Sequence, residues 1–474
     1  MKKIVSVGIA GFVVLSGMAS ATATAAAANP IETVPKSCNN ITSETETATA
    51  GAVTGGPKKI GRKYLVTFYP RWFTYNQAGI SPCNRLLGPR NVGPSYRTVV
   101  AINVDTVYTS ATVDVSQEPV MVTVPESGTT YSILHLDGYG QVFKGIPKEP
   151  GLYALTTQGW TGELPAGATQ VEMPYRTTVL IFRGDTYVNN EDKRAEAKEF
   201  RKTLKMATLS DYIADPSSGA TKVVPSETFG TPFKTIADEL LKLKPKKFLK
   251  QLQKAIAADT TQPKTPKQQA LSDRFDELFA KKGAKEELAI GARKGHKALV
   301  NNYLDAKLPK SQWVHFNNMG NWQNNYSGYL DRSSITEYIQ FGNNLSAAAY
   351  FQTFGDKKGV ALDGSKGVYT LKLRKSQIPE VSRFWSLTAY TPDTIELVKN
   401  KDKKYAVASY TPGLKTAPDG SVTITMAKKQ PKGTPTANWL PVPDGPFNVM
   451  LRAYGPEGNV ASGDYTPPAV KLQR

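Results

Sequence analysis

The sequence predicts a mainly β chain with a helical insert, in the order β, α, β. Three observations carry this reading. Short runs of β-branched and aromatic residues recur with turn dipeptides between them. The 38 Gly and 32 Pro supply the turn formers such a chain needs. Between the two β regions, residues 231–310 place apolar side chains at helical spacing among 18 Lys+Arg and 9 Asp+Glu. The 474 residues, 40% hydrophobic and 21% charged, suit a globular protein of several domains.

The elements follow in order. Lys2 and Lys3, the apolar run 4–18 and the small-residue stretch 19–28 form a Sec-type signal peptide over residues 1–28. The run is shorter than the ~20 residues of a membrane span. It predicts export to the periplasm or the medium, with no stable membrane insertion after cleavage. Residues 29–58, rich in Thr, Ala, Ser and Gly, read as a flexible tail. Cys38 and Cys83 are the only cysteines, and an oxidising compartment permits their bridge. Two separate thiols are the other reading.

Residues 59–190 form a first antiparallel β-sandwich with strands at 96–104, 111–115, 120–124, 131–136, 169–174 and 177–182. Residues 191–333 form a Lys-rich helical linking region. It opens with a helix over 192–207 that Asp192 caps, and continues with Ile236, Leu240, Phe248, Leu252 and Ile256 on one face. Residues 334–474 begin with a helix-like segment at 334–354. Strands follow at 368–373, 383–389, 405–408, 421–426 and 447–453, with turns at Asp363-Gly364, Asp419-Gly420 and Asp444-Gly445.

Two ordered motif series are specific enough to name a family. Asn103-Val104-Asp105-Thr106-Val107-Tyr108-Thr109-Ser110, then Asp114, Tyr131, Asp137, Phe143 and Arg183-Gly184-Asp185-Thr186-Tyr187, resembles the domain of unknown function 1254. Phe384-Trp385-Ser386-Leu387-Thr388-Ala389-Tyr390, Asp419-Gly420-Ser421, Asn438-Trp439-Leu440-Pro441, Gly445-Pro446-Phe447 and Pro467-Pro468-Ala469-Val470 is similar to the domain of unknown function 1214. The resemblance implies an immunoglobulin-like β-sandwich, a helical part and a jelly-roll-like β-sandwich, and assigns no general activity. Val104, Val107 and the Lys-rich insert depart from the usual pattern.

Candidate chemistry concentrates in a few places. Asn103 and Asp105 share a strand face, with Tyr108 close by. Asp105 either serves as a carboxylate acid/base or ligand contact, or bonds backbone at a strand end. Asp137, two residues after His135, is a second carboxylate candidate, with an ordinary turn as its alternative. Arg183 pairs with Asp105, Asp137 or a ligand carboxylate. Residues 313–330 interleave aromatics with amides, and Trp322 and Tyr326 are the stacking candidates for a sugar ring, or else a loop that caps a core.

The function expected is ligand binding: a glycan, a lipid or an anionic envelope polymer held by loops of the two sandwiches. The alternative is a cofactor-independent hydrolase using Asp105 or Asp137. Three His and two Cys leave little for a zinc centre, and no nucleotide-binding glycine motif is present, so neither metal nor cofactor is expected. The net charge of +19 is not organised into a nucleic-acid fold, so no nucleic acid is expected as partner. Of that charge, +9 lies in residues 231–310, since 18 minus 9 is 9. Homo-oligomerisation is left open.

Overall fold

The structure, a computed structural model, describes residues 53–80, 82–258 and 262–473. The signal-peptide segment and Cys38 lie outside the described residues, and with them the Cys38–Cys83 pairing. Among the described residues no helix is long and apolar enough to cross a membrane.

The chain is built from two β domains and a bundle of helices. The first domain packs a five-stranded sheet, ordered Lys222–Val224, Leu87–Pro89, Thr106–Asp114, Thr177–Asp185, Tyr131–Leu136, on a four-stranded one, ordered Lys205–Thr208, Val120–Val124, Gly151–Thr156, Ala168–Glu172. Val113, Val122, Leu155, Leu180 and Phe182 fill the space between them. The second domain pairs Trp313–Val314, Ala348–Thr353, Asn448–Pro456, Val381–Tyr390 and Ala406–Ala408 in one sheet. The other sheet orders Trp439–Pro441, Val422–Ala427, Val368–Leu373 and Lys471–Gln473. Trp385 packs in the core between these two sheets. Most pairings are antiparallel, as expected. Three edge pairs are parallel instead: Leu87–Pro89 with Lys222–Val224, Gly151–Thr156 with Ala168–Glu172, and Val422–Ala427 with Trp439–Pro441.

Among the described residues the α-helices longer than four residues are α1 (Pro57–Ala78), α2 (Arg194–Thr203), α3 (Leu209–Ala214), α4 (Phe233–Leu243), α5 (Pro245–Ala257), α6 (Pro266–Ala280), α7 (Lys285–Asp305) and α8 (Tyr326–Tyr338). Helix α6 opens on a capping box: the Thr265 hydroxyl accepts the Gln268 N–H at 3.3 Å, and Gln268 Oε1 accepts the Thr265 N–H at 2.8 Å.

Several boundaries differ from the sequence expectation, each for a physical reason. The first sandwich does not begin at 59, because 57–78 is α1. Its Tyr64, Leu65, Val66, Phe68, Tyr69, Trp72 and Phe73 are buried on all sides, so it shows no amphipathic period. The sandwich also extends past 190, since Lys205–Thr208 and Lys222–Val224 complete its two sheets. Residues 96–104 form no strand. The helix expected at 334–354 is instead α8 followed by the Ala348–Thr353 strand.

Helix α1 is the pillar of the bundle. Pro70 sits in its interior and removes the N–H that would bond the Val66 carbonyl four residues back. Ser333 of α8 donates its hydroxyl to that carbonyl at 2.8 Å, and Arg332 donates to the Thr67 carbonyl at 2.5 Å. The proline is thus accommodated by a neighbouring helix. Glycines let α1 and α7 touch backbone to backbone: a Cβ on Gly61 would stand 2.2 Å from the Leu288 carbonyl oxygen, and one on Gly291 2.1 Å from that of Lys58.

Candidate functional site at the seam between the two β domains

The seam is made by strands that are buried on both faces. In Asn448–Pro456, Val449, Leu451 and Ala453 point into the second sandwich, while Met450 and Tyr454 join a separate apolar cluster on the outer side. Arg452 lies on that outer side too. In Val381–Tyr390, Trp385, Leu387 and Ala389 face inward and Phe384 and Tyr390 face out, with Ser386 and Thr388 on the same side as the latter pair. Against this outer face lies the first-domain segment that leads into Thr106–Asp114.

Asp105 fastens the two domains. Its side chain is fully buried, and its two carboxylate oxygens accept the hydroxyls of Ser386 at 2.7 Å and Tyr410 at 2.5 Å. Its own N–H is accepted by Asn103 Oδ1 at 2.5 Å, and Asn103 Nδ2 donates to the Tyr454 hydroxyl at 2.6 Å. Burial raises the Asp105 pKa, partly offset by the two hydroxyls and the Arg452 charge. On the neighbouring strand, opposite Thr106, Asp185 receives Arg383 through two bonds, from Nε at 2.9 Å and from Nη2. That pair also crosses from the first domain to the second.

Arg183 stands opposite Tyr108 in the strand pairing, with its guanidinium carbon 5.5 Å from the centre of the Tyr108 ring. It is 4% exposed and donates to Asn343 Oδ1 and the Phe341 carbonyl, each at 3.1 Å. The carboxylates of Asp105 and Asp137 are therefore not its partners. Arg452, also buried, donates to the Ala101 carbonyl and, at 3.4 Å, to Thr388 Oγ1. The Arg452 bond helps hold Ala101 at a φ of 50°, a conformation unfavourable for a residue with a side chain.

Between these groups lies a cavity of about 100 Å³. Asn103, Tyr108 and Arg183 line it from the first domain, and Tyr350, Arg452 and Tyr454 from the second. The structure thus gathers three of the residues singled out in the sequence around one space. It adds three that were not singled out, together with Ser386 and Tyr410 behind them. Their signal was present: Ser386, Thr388 and Arg452 are polar residues alternating with apolar ones in strands that otherwise look wholly buried.

The sequence of the first-domain part of this seam matches a protein family of unknown function (DUF1254) over residues 83–208, and that of the second matches another (DUF1214) over 347–458. The chain belongs to the proteins that carry these two domains in this order. No curated protein matches it. The VPA0106 protein of Vibrio parahaemolyticus, known from its crystal structure, is 23% identical with a TM-score of 0.55, over 88% of this chain and 100% of its own. The two share a fold. An uncharacterised protein of Burkholderia cenocepacia matches 88% of this chain and 93% of its own at 14% identity and a TM-score of 0.42. The cavity lies where the DUF1254 and DUF1214 domains meet.

The remaining candidates sit elsewhere. Asp137 Oδ1 accepts the N–H groups of Tyr139 at 2.8 Å and Gln141 at 2.9 Å, which closes a turn. His135 Nε2 accepts the Ile146 N–H at 3.0 Å, and burial lowers its pKa to about 3, so the ring is neutral. Trp322 donates its indole N–H to the Gly140 carbonyl at 3.0 Å, seating the aromatic loop on the Asp137 turn. Tyr326 is the first residue of α8, 40% exposed and away from the cavity.

A second polar cluster, which the sequence did not single out, lies inside the helical bundle. Glu337 of α8 accepts the Tyr69 hydroxyl at 2.5 Å and the Lys234 ammonium, and Lys234 also bonds Asp238 at 2.8 Å. His296 Nε2 is 3.3 Å from Asp238 and 3.6 Å from Glu337. Asp238, His296 and Glu337 offer ligand atoms within 4.8 Å of one another, as a metal would require. The Lys234 ammonium already places a positive charge on both carboxylates, so the cluster balances two cations against two anions.

Proposed function

We propose that this protein is a binding protein of the cell envelope that holds a small ligand in the cavity between its DUF1254 and DUF1214 domains. The observation that carries this reading is the lining itself: six polar or aromatic side chains from both domains converge on one buried space. Ligand sites favour such domain boundaries, with a few polar groups set in apolar walls. The envelope location rests on the N-terminal leader, and a Cys38–Cys83 bridge belongs to the same reading. The hydrolase alternative has less support, because hydroxyls occupy Asp105 and backbone N–H groups occupy Asp137.

Ser110 lines the cavity two residues beyond Tyr108 on the same strand face. Phenylalanine there fills space without touching the bonds of Asn103, Arg183 or Arg452. Thermal-shift screening of small-molecule fragments should find ligands that stabilise the wild type and leave Ser110→Phe unmoved. Equal stabilisation of both chains would place binding outside the cavity and defeat the proposal.

A second surface favours the anionic-polymer partner. Lys247, Lys250, Lys254 and Lys264 line a cleft of about 900 Å³ in the region of α5 and α6. Like charges gathered in a cleft attract polyanions in a salt-dependent way. Retention on an immobilised polyanionic glycan should fall steeply with added salt and be lost in a Lys247→Glu/Lys250→Glu/Lys254→Glu variant. Retention that ignores both changes would rule this surface out.

A further inference from the structure

The cavity holds more positive charge than its surroundings neutralise. Arg183 and Arg452 are 4% and 1% exposed. Arg183 has only neutral acceptors, Asn343 and the Phe341 carbonyl, and its buried Nε has no hydrogen-bond partner. The acid nearest in effect, Asp105, acts on Arg452 and has both oxygens engaged by hydroxyls. Of the phenols nearby, Tyr96, Tyr390 and Tyr454 have their pKa raised by burial and carry no negative charge to offset it. Among the described residues, Arg183 is therefore a buried cation without a carboxylate.

A buried charge without a counter-charge is costly, and a guanidinium matches a carboxylate through two parallel bonds. The rest of the wall is largely apolar, with Val100, Ile102, Val179, Ile181 and Phe341 among its residues. Such a wall suits a short hydrocarbon tail. A cavity of ~150 Å³ accommodates benzene, so a space of about 100 Å³ suits an acid of about two to four carbons.

We infer that the ligand of this cavity is a short-chain monocarboxylate and that Arg183 binds its carboxylate. This rests on the cavity-binding reading above and specifies its chemistry. No covalent step is involved.

The test uses the chain from residue 29 onward and titrates acetate, propionate and butyrate by calorimetry at neutral pH. Propionamide and butyramide serve as neutral partners of the same shape, and chloride as a bare anion. The expected result is binding of an acid with its amide at least about tenfold weaker, because a charge-assisted bond is lost. Arg183→Met should abolish acid binding, and Arg183→Lys should retain part of it. The acid–amide comparison needs no variant, so it stands even if Arg183→Met does not fold. Equal binding of acid and amide would overturn the anionic assignment while leaving the cavity reading intact. Binding of chloride as tight as that of the acids would overturn the carboxylate class. Binding of none of the probes would overturn this inference, and the Ser110→Phe comparison with other fragments would then decide the cavity reading separately.

Discussion

Glu337→Gln is expected to destabilise the helical bundle by about 3–5 kcal/mol, the usual consequence of removing one partner from a buried ion pair. Glu337 is 1% exposed, and it holds the Tyr69 hydroxyl as well as Lys234. Burial alone would raise its pKa, but Lys234 and His296 outweigh that and hold it well below the ordinary carboxylate range. Its loss leaves the cations of Lys234 and His296 facing Asp238 alone. Chemical denaturation of the wild type and variant measures the difference. A loss under 1 kcal/mol would mean the cluster is solvated.

The same cluster sets a pH dependence. His296 faces Asp238 and Glu337, with Lys234 and Tyr69 beside them; burial lowers its pKa, but the two carboxylates raise it to about 9. An unfolded His titrates near ~6.5, so the folded chain binds the extra proton between those values. The His296 contribution is therefore complete below about pH 6.5 and lost as pH rises through about 9. Asp238, raised by burial and by the Glu337 charge, likewise favours the folded chain at acid pH and loses that contribution as pH rises. Stability of the wild type should fall across this range, and Glu337→Gln should flatten the fall.

Asp185→Asn is expected to cost about 3 kcal/mol or more at the seam, again by stranding one member of a buried pair. Arg383 is left with a neutral amide in place of a carboxylate that received two of its N–H groups. Because the pair joins the two β domains, limited proteolysis should cut between them faster in the variant. The double replacement Asp185→Leu/Arg383→Met should recover much of the loss, since apolar isosteres fill such sites well. Unchanged proteolysis in Asp185→Asn would show that Asp105, Ser386 and Tyr410 hold the seam unaided.

Much of the β architecture was legible because it obeys local rules. The strands Val120–Val124, Tyr131–Leu136 and Val368–Leu373 coincide with the expected runs, where β-formers end at turn residues. Residues 96–104 have the same composition and form no strand. Their backbone groups bond several separate segments: the Thr98 N–H the Phe229 carbonyl, the Ala101 N–H the Ile395 carbonyl, and the Ile102 carbonyl the Tyr390 hydroxyl. Composition cannot distinguish one ladder from three anchors. Asn103, Tyr108 and Arg183 were legible as a polar motif in a β setting. Arg452, Tyr454 and Tyr350 were harder to read, because polar and aromatic residues alternating through a wholly buried strand show that its outer face is covered but not which domain covers it. The Glu337 cluster draws on α1, α4, α7 and α8, so no sequence window contains it.

The order in which the pieces of α1 and its partners leave the ribosome has its own consequence. Helix α1 ends at Ala78, but α7, against which its glycines press, begins only at Lys285, and α8, which completes its proline-interrupted backbone, begins at Tyr326. The whole first β domain is synthesised in between. The first helix of the described chain is therefore among the last to find its place, and its Trp72, Phe73 and Tyr69 side chains stay uncovered while the nascent chain lengthens. Contacts this distant in sequence slow folding and favour aggregation of the waiting segment. A chaperone that shields residues 57–78 until the later helices are made is therefore expected to raise the yield of native protein.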